Sequence, residues 1–155
     1  MSMENLHELP ESLPVPTDDG ACDHLPGMWL PPVALTSTAG ERAGYINPHG
    51  TGTVAGDGPE SHAMHTINPD AMVSATKSTL GHSLGATGAI EAAICALTIK
   101  EKMVPPMRNL DELAEECAEL DYVVGEPRRA QELEVSLCAN LGVGGHNAAV
   151  VLEEV

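Results

Sequence analysis

Two histidines and a lysine, each beside glycine or hydroxyl residues after a short apolar run, are the residues of this chain whose types and spacing could do chemistry. His49 lies in Asn47-Pro-His-Gly-Thr-Gly-Thr53, and Lys77 and His82 lie in Ala75-Thr-Lys-Ser-Thr-Leu-Gly-His-Ser83. Imidazoles at the C-terminal ends of neighbouring strands can converge on one point, which is where open α/β sheets bind ligands. A cation beside a partly buried imidazole disfavours its protonation, so His82 is expected to stay neutral near pH 7 and to offer an N–H to a carbonyl oxygen. Donors fixed where negative charge develops are worth about 3 kcal/mol each in acyl transfer. The chemistry these groups suit is therefore stabilisation of an enolate. Glu91, two helical turns past Gly85, is placed to hold Lys77. Taken alone, that pair reads equally as an ordinary ion pair.

The elements that must position these groups are marked by apolar runs and breakers. Gly44-Tyr-Ile46 reads as a buried strand that opens at Asn47-Pro48. A helix is predicted over 57–67, with Asp57 as N-cap and Pro59 in its first turn, ended by Asn68-Pro69-Asp70. Residues 72–76 fit a second buried strand, and 77–85 form a turn from which a helix runs to about Lys102. Lys100 and Lys102 complement its negative end, and Pro105-Pro106 forbids continuation. Ala86, Ala89, Ile90, Ala93, Ile94 and Leu97 recur at i, i+3, i+4 and predict its core-facing side. An acidic helical segment is expected around 110–120 and an extended piece at 121–124. Residues 135–138 and 148–152 read as a hairpin with a long Gly-rich tip over 142–147. This alternation implies an α/β fold.

Composition narrows the function classes. Seven basic residues against 23 acidic ones give a net charge of −16, which argues against nucleic acid and anionic membrane surfaces as partners. With Trp29, Tyr45 and Tyr122 as the aromatic residues and no Phe, the core must be built from Ala, Val, Leu, Ile and Met. Residues 1–43 hold six of the twelve prolines and no Lys or Arg before Arg42. They are expected to be an acidic, loop-rich, partly disordered leader to a domain at 44–155. Cys22, Cys95, Cys117 and Cys138 form no CxxC pair and no signal sequence opens the chain, which points to a reducing, cytoplasmic compartment. The apolar stretch 86–99 is broken by Gly88 and Glu91 and is shorter than the ~20 residues of a bilayer span, so it reads as a core helix. His62 and His65 have metal-ligand spacing without a third ligand, and a solvated helical face is the simpler reading. No metal or cofactor is expected.

With Asn140-Leu-Gly-Val-Gly-Gly-His-Asn147, the two blocks above make three ordered motifs that resemble the C-terminal part of β-ketoacyl-acyl-carrier-protein synthases, over residues 45–153. The resemblance implies the C-terminal half of a thiolase-like fold, a layered mixed sheet with packed helices. It implies that His49 and His82 polarise a malonyl thioester, that Lys77 is the family lysine, and that Glu91, Thr51 and Thr53 support them. Gly142, Val143, Gly144 and Gly145 would be the oxyanion and acyl-gate loop, with the Val143 N–H as donor. The implied activity is decarboxylative Claisen condensation of acyl and malonyl thioesters in fatty acid or polyketide biosynthesis, with acyl carrier protein as partner. Departures are Val143 where the family has Phe, Pro48 where it has Ala, and His146 in place of a smaller polar residue. The family's nucleophilic cysteine belongs to an N-terminal half that this chain does not match. Cys22 follows Ala21 as that nucleophile would, but Leu25-Pro26-Gly27 stands where the pKa-lowering helix should start. A separate cysteine-bearing half or a full-length synthase is therefore the expected partner, in a homo- or hetero-oligomer. A non-catalytic interaction or remnant subunit is the alternative.

Overall fold

Strand β1, Tyr45–Asn47, is the centre around which the rest is laid in the computed structural model, which describes residues 43–142 and 146–155. It pairs in parallel with β2 (Met72–Val73) on one side and β6 (Val135–Gly142) on the other, placing Ile46 beside Val73 and Leu137. Strand β4 (Asp121–Tyr122) extends the sheet beyond β2 in parallel, and β7 (His146–Glu153) closes it antiparallel to β6, in the order β4-β2-β1-β6-β7. The inner strands are apolar on both faces because both faces are covered. Ile46 packs with Met64 of α1 (Val54–Ile67), while Tyr45, pointing the opposite way, packs with Cys95 and Ile99 of α3 (Thr87–Glu101). Between β2 and α3 run the short helix α2 (Lys77–Leu80) and a 3₁₀ turn at Leu84–Ala86. Strands β3 (Met103–Val104) and β5 (Arg128–Arg129) form a separate antiparallel pair.

Four expectations are corrected. Helix α1 begins at Val54, with Thr53 at the N-cap position, so Asp57 falls in the first turn and Pro59 inside the helix. There the Asp57 carboxylate complements the helix N-terminus and accepts from Gly52 N at 3.2 Å. Strand β2 stops at Val73; Ser74 N still donates to the Ile46 carbonyl at 3.2 Å, and Thr76 is held by the Asn47 side chain. The acidic segment 110–120 is irregular rather than helical. Its like charges at i, i+4 (Asp111 and Glu115, Glu112 and Glu116, Glu115 and Glu119) oppose a helix. The segment is tied down at its ends by hydroxyls, Arg108 N donating to Ser78 Oγ and Ala118 N to Ser61 Oγ, each at 2.9 Å.

The fourth correction concerns α3. Its residues against the sheet are Thr87, Glu91, Cys95, Thr98 and Ile99, whereas Ala86, Ala89, Ile90, Ala93 and Leu97 are exposed, Leu97 by 54%. The helical period was right and the face inverted. The hairpin is longer than expected: β6 and β7 run eight residues each, and Gly142 pairs with His146. The tip residues Val143, Gly144 and Gly145 lie outside the described residues, as do Cys22 and the expected leader up to residue 42. Among the described residues no helix is long and apolar enough to cross a membrane, and no group of three potential ligands could hold a metal ion. His62 and His65 are both exposed.

Candidate active site

The site is assembled at the C-terminal ends of β1, β2 and β6. Asn47, the last residue of β1, is fully buried and donates through Nδ2 to Thr76 Oγ1 at 3.0 Å, while Thr76 Oγ1 reaches Asn47 Oδ1 at 3.2 Å. These bonds lock the end of β1 to the residue before Lys77. Gly50 turns the chain after His49 with φ +40°, and a Cβ there would stand 2.5 Å from the Ala75 methyl. Only glycine fits a left-handed position packed so closely. Glu60, reaching up from α1, holds the same turn by accepting from His49 N at 2.7 Å and Gly50 N at 2.9 Å. Burial pushes the Glu60 carboxyl up to about 7, because the two amides only partly compensate for lost water.

The structure brings His49 and His82 together. Their ring centroids are 5.5 Å apart and the rings are nearly perpendicular, at 86°. His82 follows Gly81, whose φ of +77° ends α2, and its Nδ1 lies 3.0 Å from Thr87 Oγ1 and accepts from Leu84 N at 3.2 Å. His49 Nδ1 lies 3.3 Å from Asn140 Oδ1. Burial lowers the His49 pKa below its ordinary value; the Asn140 contact opposes the shift, and Lys77 and His82 add to it. Lys77 Nζ donates to both Glu91 oxygens, at 2.7 and 2.8 Å, and to Asn140 Oδ1 at 3.3 Å. The Lys77 and Glu91 side chains are 5% and 2% exposed. An ion pair so deeply buried keeps its charges only because each is fully partnered.

Thr51 and Thr53 stand apart from this cluster. Their hydroxyls are 3.3 Å from each other, and both residues line a cavity of about 530 Å³ that also touches Lys77, His82, Glu60 and Cys117. Gly142 stands at the end of β6, where a Cβ would lie 3.2 Å from the His146 carbonyl oxygen. Sequence reasoning missed Asn140, Thr87 and the clamping role of Glu60. The signal for Asn140 was its place at the head of the third Gly-rich block, at the end of a predicted strand. No described cysteine completes a nucleophilic site. Cys95 and Cys138 are buried, Cys138 beneath Asn140, and burial pushes the Cys117 thiol up. The arrangement offers two imidazoles, a cation anchored by a carboxylate, and a neighbouring cavity, a set suited to stabilising negative charge on a substrate oxygen.

Comparison with known proteins identifies the family and the fold. Residues 33–111 match the family described as "Beta-ketoacyl synthase, C-terminal domain". A 3-oxoacyl-[acyl-carrier-protein] synthase 2 of Vibrio cholerae is 38% identical over 121 residues, which are 75% of this chain and 29% of that protein. A β-ketoacyl synthase structure from Burkholderia phymatum superposes with a TM-score of 0.67 at 38% identity, over 72% of this chain and 27% of that one. A type II PKS acyl-carrier protein in complex with its ketosynthase gives a TM-score of 0.68 at 27% identity, over 73% and 28%. The chain thus spans somewhat over a quarter of the length of the relatives it matches. With residues 33–111 matched to the family and a solved relative superposed over 72% of the chain, the chain belongs to the β-ketoacyl synthase family, as a C-terminal part with a thiolase-like fold.

Proposed function

We propose that this chain supplies the condensation half of a β-ketoacyl synthase site and works with a cysteine from outside the described residues. The reaction is the decarboxylative Claisen condensation of acyl and malonyl thioesters carried on acyl carrier protein, in fatty acid or polyketide biosynthesis. The observation that carries the reading is the 5.5 Å approach of His49 and His82 beside the buried Lys77–Glu91 pair. When the malonyl thioester loses CO2, the electron pair left on carbon spreads onto the thioester oxygen. An imidazole N–H fixed at that oxygen lowers the barrier, and a preorganised donor costs nothing to reorient as the charge appears. The enolate carbon then attacks the acyl carbonyl of an acyl-cysteine and the thiolate leaves. Lys77 and Glu91 hold Asn140 and the strand ends, Thr51 and Thr53 line the adjoining cavity, and the tip at Gly142, Val143, Gly144 and Gly145 is assigned the acyl-gate and oxyanion role.

The outward apolar face of α3 supports the need for a partner, since a contiguous exposed apolar patch marks an interaction surface. That partner is a cysteine-bearing half or a full-length synthase. The free described thiols are in keeping with a reducing, cytoplasmic location. Among the described residues Lys102 and Arg128 are engaged by Glu154 and Asp121, which leaves Lys100, Arg108 and Arg129 to meet an acidic carrier, so like charges slow the encounter. A non-catalytic interaction or remnant subunit is the second reading, favoured by the burial of the Cys95 and Cys138 thiols. The two readings separate in one assay of the chain mixed with a cysteine-bearing half. Malonyl-thioester decarboxylation that drops about 10²-fold or more in His49→Ala and His82→Ala supports catalysis. A stable complex whose turnover ignores both substitutions supports the second reading.

A further inference from the structure

Among the described residues, Asn140 is the side chain that touches His49, Lys77 and Glu91 together. Its amide can face only one way. Nδ2 lies 2.9 Å from Glu91 Oε2 and Oδ1 lies 3.3 Å from Lys77 Nζ. The flipped amide would set its NH2 against an ammonium and its oxygen against a carboxylate, so the buried ion pair fixes the orientation. The group 3.3 Å from His49 Nδ1 is then a carbonyl oxygen, an acceptor and nothing else. A neutral imidazole carries one proton, and here it must be on Nδ1, leaving the His49 Nε2 lone pair free.

His82 is held the opposite way. The backbone N–H of Leu84 points at His82 Nδ1 from 3.2 Å, and a peptide N–H can only donate, so that nitrogen is unprotonated and the proton sits on Nε2. Leu84 adopts φ +52°, a left-handed conformation costly for a leucine, in the turn that aims this amide. Backbone strain of this kind persists where the surroundings impose it, commonly at functional sites. Both Nδ1 atoms are thus occupied by the protein, and both Nε2 atoms are left for a ligand.

We propose that Asn140 is a positioning residue that sets the His49 tautomer, so that the paired histidines present opposite groups to a substrate, a proton acceptor on His49 and a proton donor on His82. The tautomers follow from the hydrogen bonds alone; their use in condensation rests on the synthase reading above. In that use His82 Nε2–H binds the thioester oxygen, while His49 Nε2 accepts a hydrogen bond from a substrate or water donor.

Nitrogen-15 correlation spectra of the histidine rings in the full chain, taken at a pH where both are neutral, test this directly. The expected pattern is a pyrrole-type Nδ1 with a pyridine-type Nε2 on His49, and the reverse on His82. Asn140→Ala should move His49 to the Nε2–H form that free imidazole favours and leave His82 unchanged. An unaltered His82 pattern shows that the variant is folded. Nε2–H on wild-type His49, or a His49 tautomer indifferent to Asn140→Ala, would overturn the proposal. If the tautomers are as expected and no decarboxylation occurs with any cysteine-bearing half, the assignment to Asn140 stands and the synthase reading falls.

Discussion

At the scale of the residue, the site is governed by charges taken out of water and then fully partnered. Removing one member of the Lys77–Glu91 pair leaves the other buried and uncompensated, which costs about 3–5 kcal/mol. Urea denaturation of Glu91→Leu should show a loss of that order, and Lys77→Met with Glu91→Leu together should recover most of it. A double variant as damaged as the sum of the singles would mean that the two charges do not interact. Glu60 gives a titration of unusual position. Folded Glu60 keeps its proton up to about 7, against 4.5 for an ordinary Glu, so the folded state binds the extra proton in that window. The stability linked to it is full below about 4.5 and is lost as pH rises through 7. A carbon-13 titration of the Glu60 carboxyl should find its midpoint near neutrality, and a midpoint in the ordinary carboxylate range would refute the assignment. His49 moves the other way: its lowered value makes a contribution present above the ordinary histidine range and lost as pH falls through the folded value.

At the scale of the element, α3 divides its two faces between two jobs. The side on the sheet carries Thr87 and Glu91 for the site, then Cys95 and Ile99 for the core. The opposite side carries the larger apolar share. Leu97→Glu should therefore leave the chain folded while abolishing its association with a cysteine-bearing half, whereas Ile99→Ala should cost about 2–4 kcal/mol of stability. Circular dichroism and size-exclusion with the partner would separate the two effects, and unfolding by Leu97→Glu would place that face in the chain's own core. The sequence carried the period of this helix because spacing follows from 3.6 residues per turn, but it hid the direction. A rule that sends apolar residues inward fails where the inward residues must hold Lys77 and His82. The strand at Tyr45, the hairpin from Val135, and the gathering of His49, Lys77, His82 and Glu91 were legible, since breakers and Gly-rich blocks mark strand ends. Asn140 was not, because an asparagine at the head of a Gly-rich block looks like turn chemistry until the ion pair that orients it is seen. Nor was the start of α1, where Asp57 offered a stronger capping signal than Thr53.

At the scale of the molecule, charge is the dominant bias. A net charge of −16 destabilises a compact state through self-repulsion. Raising the ionic strength from ~0.01 to ~0.5 M shortens the screening length several-fold and should raise the Tm of the whole chain. A Tm that falls with salt would show that its few ion pairs outweigh the surplus of carboxylates.

The pairing of β1 with β6 has a further consequence, for the order of events during synthesis. His49 and Asn140 meet across 91 residues of chain, and the central strand has no neighbour on that side until β6 exists. Closing so long a loop is slow, and parallel pairings of this separation form late. Until the ribosome has delivered residue 142, Tyr45 and Ile46 sit on an open strand edge, and both rings of the candidate site are present without the side chain that aligns one of them. An exposed edge on the nascent chain is thus a consequence of the same register that assembles the site.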